Sequence, residues 1–549
     1  MSTLPRQPTE FRGTFRSDDE ALAVYSEGAG IARIMPRAVA VPADADDVAT
    51  LVRWAGENGV PLVPRGSGSG MAGGAIGDGV IVDLSRLREQ PVVDASECTL
   101  HCGPGITWKE ADDAARTSGL RFPPDPSSGA FCSIGGMVST NASGAHTLKY
   151  GPTRNWVRSL DCIFADGTRA RVERGVRTPT HVPALRRFLD IAGGLSAAEA
   201  IAPSIHQGVR KDSSGYGINA FAGTQDVVDI IVGSEGTLAL VVGVELELSR
   251  VPGATSSLIG SFPTLESAVT AAVKARDGGA AACELLDRTF LDVASSEGPL
   301  ASVAEGSDAV LMAEVEGDDA SLAHAAAQSL AEEFRVAGAT RVELALTPHE
   351  EAEMWQLRHA ASPILARLGA SLTSMQFIED GAVPPARLPE YVRGVRAILE
   401  RHGVKGVVFG HAGDSHIHVN PLIDVGRAGW RETLSAMLSE VVALTSGLGG
   451  TLDGEHGDGR LRTPLLERVW PREIMERFRA VKRAFDPDGI FNPGVKIPLP
   501  GDTPIADIKY DPMLTPLPPA AAGVLARVSE ARAYASFRLD MLDTPDGVA

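Results

Sequence analysis

Cysteine is scarce and basic residues are outnumbered: 549 residues carry five cysteines, and 51 Lys+Arg stand against 70 Asp+Glu. Cys98, Cys102, Cys132, Cys162 and Cys283 are odd in number, and no spacing among them matches a zinc or iron–sulfur array. That argues against a disulfide framework or a resident cluster and fits unpaired thiols in a reducing cytosol. The formal charge of −19 argues against a nucleic-acid partner and against stable attachment to an anionic membrane. Long apolar runs are missing as well. The most apolar stretch, residues 227–248, contains Glu235, Glu245 and several glycines, and reads as buried strands, not as a membrane span. Residues 1–15 lack an apolar core, so no export signal is expected. The expected location is the cytoplasm, peripheral at most at the inner face of the membrane.

What remains is 44% apolar and 22% charged, and long enough for two or three domains with cores of their own. The most informative run is Pro64-Arg65-Gly66-Ser67-Gly68-Ser69-Gly70, continuing to Gly74 after the strand-like residues 60–63. Glycine lets backbone N–H groups approach a ligand with no Cβ in the way, and convergent N–H groups and hydroxyls form a nest for a phosphate. No Gly-Lys-Ser/Thr follows, and no clean G-x-G-x-x-G opens a helix. Alone, the run leaves a generic flexible loop as the lesser alternative.

Two further runs change that reading. Pro124-Asp125 leads through Ser133-Ile134-Gly135-Gly136 and Ser139 to Asn141 and Gly144. Glu235-Gly236 lies in a third turn, preceded by Lys211-Asp212-Ser213-Ser214-Gly215-Tyr216-Gly217. Three glycine-rich turns in one half of a chain imply one extended ligand touched at several points. Together with Phe491-Asn492-Pro493-Gly494, they resemble the FAD domain of the vanillyl-alcohol-oxidase/p-cresol-methylhydroxylase (PCMH) type, over residues 36 to 498. The resemblance implies FAD held by Pro64, Arg65, Gly66, Ser67, Gly68, Ser69 and Gly70, then by Pro124, Asp125, Ser133, Ile134, Gly135, Gly136, Ser139, Asn141 and Gly144, and finally by Glu235, Gly236 and Asn492.

The pattern of elements is α+β. Residues 38–64 read as strand, helix and strand, with Asp44 as N-cap, Val48, Leu51, Val52 and Ala55 at helical spacing, and Gly59 as the stop. Thr107 and Glu110 form a capping box for a helix ending near Gly119, and Asp166-Gly167 turns a hairpin. Beyond Pro252, strands and helices alternate as in an antiparallel sheet covered by helices. The expected division is an N-terminal extension (1–35), a two-subdomain PCMH-type FAD-binding domain (36–252, with an insertion at about 171–210), a substrate or cap domain (253–447), and a segment returning to the FAD domain (448–498). A tail (499–549) carries one amphipathic stretch, 520–537.

The chemistry lies in two motifs. His411, His416 and His418 fall within eight residues after the buried strand 407–409, and imidazole suits zinc or a similar divalent cation. Odd spacing would put His411 and His418 on opposite faces of one straight strand, but Gly413-Asp414 offers a turn between them. Asp453-Gly454-Glu455-His456-Gly457 offers a carboxylate ligand. The blander alternatives are a hydrogen-bonded core cluster and, for Glu455-His456, a helix-cap pair.

These motifs resemble those of the FAD-dependent D-2-hydroxyacid dehydrogenases: D-lactate dehydrogenases of the cytochrome-linked type, glycolate oxidase flavin subunits and D-2-hydroxyglutarate dehydrogenases. The resemblance implies that His411, His418 and Glu455 hold a divalent metal, zinc or manganese. It makes His456 the base that takes the hydroxyl proton while the carbon-bound hydrogen passes to the flavin as hydride. Trp355-Gln356-Leu357-Arg358 resembles the family's tryptophan–arginine helix, which makes Arg358 the substrate-carboxylate clamp; a solvated helix arginine is the alternative. Asn420 and Ser362 are further substrate-side candidates. Ser415-His416 stands where the family commonly has Gly-Asn, so His416 is an additional candidate ligand. Residues 376–384 lack the lysine that members handling two-carboxylate acids can carry, which counts against 2-hydroxyglutarate. The expected activity is FAD-dependent oxidation of a small D-2-hydroxy acid to the 2-oxo acid, with non-covalent FAD, although His101 and His146 lie near the cofactor runs. Electrons would leave to a quinone, a cytochrome or a separate iron–sulfur subunit docked on the tail, and homo-oligomers are compatible with the sequence. The rivals are an FAD-binding subunit of a multi-subunit oxidase, an electron-relay flavoprotein and a flavin-free metal hydrolase.

Overall fold

The computed structural model describes residues 4–197, 206–294, 306–345, 347–359 and 372–543. Near the N-terminus, Ala38–Val41 and Leu62–Arg65 both run parallel to Val80–Asp83, and Thr14–Arg16 adds antiparallel to the edge. The crossover helix Ala45–Asn58 starts where extended Asp44 accepts N–H bonds from Asp46 and Asp47, and stops at Gly59 with φ +61°. Val48, Leu51, Val52 and Ala55 on its inner face pack with Ala38, Ala40, Leu62, Val80 and Val82 of the sheet.

A second, antiparallel sheet is ordered Val92–Asp94, Thr99–Cys102, Leu240–Glu247, Val157–Ile163, Arg169–Glu173. The two sheets are the two parts that the resemblance implies for a PCMH-type FAD-binding domain. The capping box at Thr107 and Glu110 opens the helix Trp108–Arg116. Residues 227–248 depart from the all-strand expectation: a helical turn, Val228–Ile231, precedes the strand Leu240–Glu247. Positive φ at Gly233, Glu235 and Gly236 forces the chain to turn between them.

The third sheet is antiparallel throughout and eight-stranded. Its centre is the ladder of Ala254–Phe262, Ala309–Gly317, Ala282–Asp287, Lys405–Gly410 and His416–Ile423. The helices Leu265–Asp277, Ala320–Val336 and Leu388–Arg401 cover it. The chain then returns to the first sheet, where Leu62 N donates to Ile490 O (2.8 Å) and Asn492 N to Leu62 O (2.8 Å). The amphipathic stretch of the tail is two helices, Pro519–Ala531 and Ser536–Asp543, parted by Arg532 at φ +53°. They pack on the helix Asp19–Tyr25 near the N-terminus. Among the described residues no helix is long and apolar enough to cross a membrane.

Candidate active site

One cavity of about 880 Å³ joins the FAD-type fold to the third sheet, large within the roughly 300–1,000 Å³ usual for small-molecule sites. Its first end is lined by all of Pro64, Arg65, Gly66, Ser67, Gly68, Ser69 and Gly70, and by Ser133, Gly135, Gly136, Ser139, Gly144, Glu235 and Gly236. The three runs meet closely. A Cβ on Gly66 would lie 2.3 Å from Ser133 Oγ, and one on Gly236 only 2.2 Å from Pro64 Cγ. A Cβ on Gly70 meets nothing within 4 Å, so its backbone is open to an approaching ligand. This cradle suits an extended anionic cofactor such as FAD.

Five of the sequence-derived cofactor positions lie behind the lining. Ile134 belongs to the core and Pro124 is buried. The Asp125 carboxylate accepts from His146 N (3.0 Å) and contacts His146 Nδ1 (2.6 Å). Asn141, at φ +54°, accepts from Arg154 N (2.9 Å). Asn492 Nδ2 donates to Gly74 O (2.9 Å) and Glu235 O (2.8 Å), tying the first glycine run to the third. These residues brace the cradle. Neither His101 nor His146 lines the cavity; the second nitrogen of His146 contacts Glu314 (2.9 Å).

The other end of the cavity is built on the hairpin Lys405–Gly410/His416–Ile423. Alternation puts His416, His418 and Asn420 on one face of the second strand. A single 3₁₀ turn, Ala412–Asp414, closed by Ser415 at φ +58°, brings His411 beside them. His411, His418, Asn420, Glu455 and His456 all line the cavity. His411 Nε2 lies 3.1 Å and His418 Nε2 3.4 Å from Glu455 Oε1. Each ring's other nitrogen is occupied: His411 Nδ1 contacts Glu284 Oε1 (2.6 Å) and His418 Nδ1 donates to Glu379 O (2.8 Å). Those outer bonds leave both Nε2 atoms facing one carboxylate, an arrangement that suits a metal site. His416 differs, since its Nε2 contacts Asp380 Oδ1 (2.8 Å) and its buried Nδ1 has no hydrogen-bond partner.

Glu455 and His456 sit in an irregular loop, not at a helix cap. Asp380 Oδ2 accepts from Glu455 N (3.3 Å) and His456 N (3.0 Å). Glu235 accepts from Asp458 N (2.7 Å), which fastens this loop to the glycine turns. Gly454 must be glycine, because a Cβ there would sit 2.6 Å from His416 Nε2. His456 Nδ1 contacts Glu379 Oε2 (2.7 Å), and its side chain keeps 26% exposure, enough to meet a ligand.

Charge is uneven here. Glu284, Glu379, Asp380 and Glu455 are buried, and their permanent cationic partners are Lys211 on Glu455 (2.8 Å) and Arg462 on Glu379. Arg462 also approaches Asp380 (3.7 Å), and protonated imidazoles or a dication would offset further charge in this acid-rich cluster. Burial lowers His456, but Asp380 and Glu379 overcome it and raise it to about 10. Burial likewise opposes the charge on His411, which Glu284 and Glu455 raise. Burial would raise Glu379, yet His456 and Arg462 bring it to about 2. Burial alone dominates at His416, which falls to about 4. A dication beside these carboxylates would reverse the push on the histidines. The donor set fits a divalent metal.

Arg358 lies near the end of the helix Pro348–His359 with its side chain outside the described residues, and Ser362 falls outside them altogether. Sequence reasoning missed Glu284, Glu379, Asp380, Lys211 and Arg462. Lys211 stood in a quoted glycine run and Glu379-Asp380 in a segment searched only for lysine. Nothing local marks Glu284, which reaches His411 across the sheet.

An FAD binding domain family model matches residues 36–173, and the model for the C-terminal domain of FAD linked oxidases matches 251–495. D-lactate dehydrogenase of Archaeoglobus fulgidus is 31% identical over 472 residues, covering 84% of this chain and 92% of that protein. Glycolate oxidase subunit GlcD of Bacillus subtilis is 28% identical, covering 84% of this chain and 88% of its own. D-2-hydroxyglutarate dehydrogenase of Pseudomonas putida is 28% identical over 88% of this chain and 50% of its own. Among solved structures, p-cresol methylhydroxylase with substrate bound superposes with TM-score 0.66 at 15% identity, over 89% of this chain and 95% of that one.

Proposed function

The chain belongs to the FAD-linked oxidase family, and from that premise we propose that it oxidises a small D-2-hydroxy acid to the 2-oxo acid with a metal-assisted histidine base. The observation that carries this reading is the single cavity with the glycine cradle at one end and His411, His418, Glu455 and His456 at the other. When bound, FAD supplies a two-electron acceptor for the carbon-bound hydrogen. A divalent cation held by His411, His418 and Glu455 would supply the positive charge that favours loss of the hydroxyl proton.

The chain's own residues do the rest. His456 uses Nδ1 on Glu379, which orients the ring and leaves Nε2 to accept the hydroxyl proton. Asn420 on the cavity wall holds the substrate's polar end, and Arg358 clamps the carboxylate through a two-pronged hydrogen bond. Glu284 and the Glu379 carbonyl keep His411 and His418 turned toward Glu455. Electrons then leave to a quinone, a cytochrome or a partner subunit. A hydrolase without flavin does not suit a chain whose first domain is FAD-binding.

An anaerobic screen of flavin bleaching tests the activity. D-lactate, glycolate, D-malate and D-2-hydroxyglutarate are the candidates, each chiral acid paired with its L-isomer. Bleaching by glycolate or a D-acid is expected, with monocarboxylates ahead of 2-hydroxyglutarate. Bleaching by L-isomers alone would contradict the stereochemistry, and none by any acid would contradict the substrate class.

A further inference from the structure

The tail beyond the family-matched residues, which end at 495, folds back onto the start of the chain. Arg33 N donates to Asp507 O (2.8 Å) and Lys509 N to Ile31 O (2.8 Å), so 507–509 pairs with 31–33. That pairing abuts the first glycine run, where Ala29 N donates to Gly68 O (3.1 Å). Lys509 Nζ reaches Gly28 O (3.3 Å) and Ala29 O (3.5 Å). Arg65 and Arg538 both donate to Glu27 O, at 3.0 and 3.1 Å.

Arg33, Arg65, Lys509, Arg532 and Arg538 all line the cavity at this end. Glu27, the carboxylate beside them, is committed to Arg33 (2.7 Å), and Asp83 behind Arg65 serves Tyr25 and Ser85. Among the described residues the Arg532 side chain makes no hydrogen bond or ion pair. Burial, with Arg538 and Arg33 nearby, holds Lys509 down to about 8 in spite of Glu27. Positive charge gathered on a partly buried cavity wall is costly until an anion shares it, and among the described residues the carboxylates beside it, Glu27 and Asp83, are already committed.

We propose that the C-terminal segment completes the cofactor site, with Lys509 and Arg532 gripping the diphosphate of FAD together with the glycine run. This rests on the FAD reading above. It makes the tail a cofactor clamp and not a landing place for another subunit. Arg538 spends its donors on the Val24, Glu27 and Tyr534 carbonyls, so it braces the clamp from behind.

The test compares the full-length holoenzyme with its Lys509→Met/Arg532→Met variant. FAD release on dilution is followed by flavin fluorescence, and the stripped chains are titrated with FAD and with riboflavin, which has no phosphate. Loss of two charge-assisted hydrogen bonds is expected to weaken FAD binding at least about tenfold. Riboflavin affinity should not change, and Lys509→Arg should keep FAD affinity near that of the parent. Unchanged FAD affinity in the double variant would overturn the clamp alone, as would equal weakening of both flavins, which signals a packing defect. A parent chain that binds no flavin would overturn the FAD reading itself.

Discussion

His456→Ala is expected to leave FAD bound and the fold intact while slowing flavin reduction by about 10²–10⁴-fold, the usual contribution of a positioned general base. His456 is placed for that role, with a bound dication offsetting the acids that otherwise hold its ring protonated. Its Nδ1 is held by Glu379, and Asp380 pins its backbone. Arg462 pairs with Glu379 and keeps that carboxylate ionised. The alanine removes the ring but leaves the backbone brace, because Asp380 also bonds the backbone N–H of residue 456. Stopped-flow reduction under anaerobic conditions reads the effect directly. Bound FAD with an unchanged reduction rate would remove His456 as the base.

The second large effect is metal removal. Chelation of the holoenzyme is expected to lower flavin reduction by at least about 100-fold, since loss of a Lewis acid costs several kcal/mol and each 1.36 kcal/mol is tenfold. Zinc or manganese should restore the rate. The reasoning is electrostatic. Glu455 faces two imidazole Nε2 atoms and Lys211, so its second oxygen is already paired while the first is shared between rings. Glu455→Gln is a harsher probe, because it strands Lys211, whose remaining partners are Gly144 O (3.0 Å) and Asp414 at 4.0 Å. It should lose metal binding and also stability, by roughly 3–5 kcal/mol for an unpaired buried charge. Full activity in chelated protein shown to hold no metal would contradict the proposed role of the cation.

Much of this was legible in the residues, for reasons that differ by site. Asp44 and Gly59 set the ends of the first crossover helix because a cap and a left-handed stop act within one turn. The glycine cradle was legible because backbone approach demands glycine at fixed places, as the 2.2–2.3 Å conflicts at Gly66 and Gly236 show. What stayed hidden acts across distance. Glu284 meets His411 from 127 residues away, and Lys211 meets Glu455 from 244. A lone buried acid or lysine carries no local sign of its partner. Residues 227–248 misled because apolar content cannot separate a helical turn from a strand, and the turn at Gly233, Glu235 and Gly236 decided it. The tail looked like an appendage, since its pairing with residues 31–33 lies in backbone bonds that composition does not encode.

A crystal structure of the FAD-loaded holoenzyme, with data at a metal absorption edge, tests the central claim most directly. The account predicts the flavin ring in the same cleft as the His456 imidazole, with an anomalous peak between His411, His418 and Glu455. A ring lodged elsewhere, or a metal bound away from those three side chains, would contradict it.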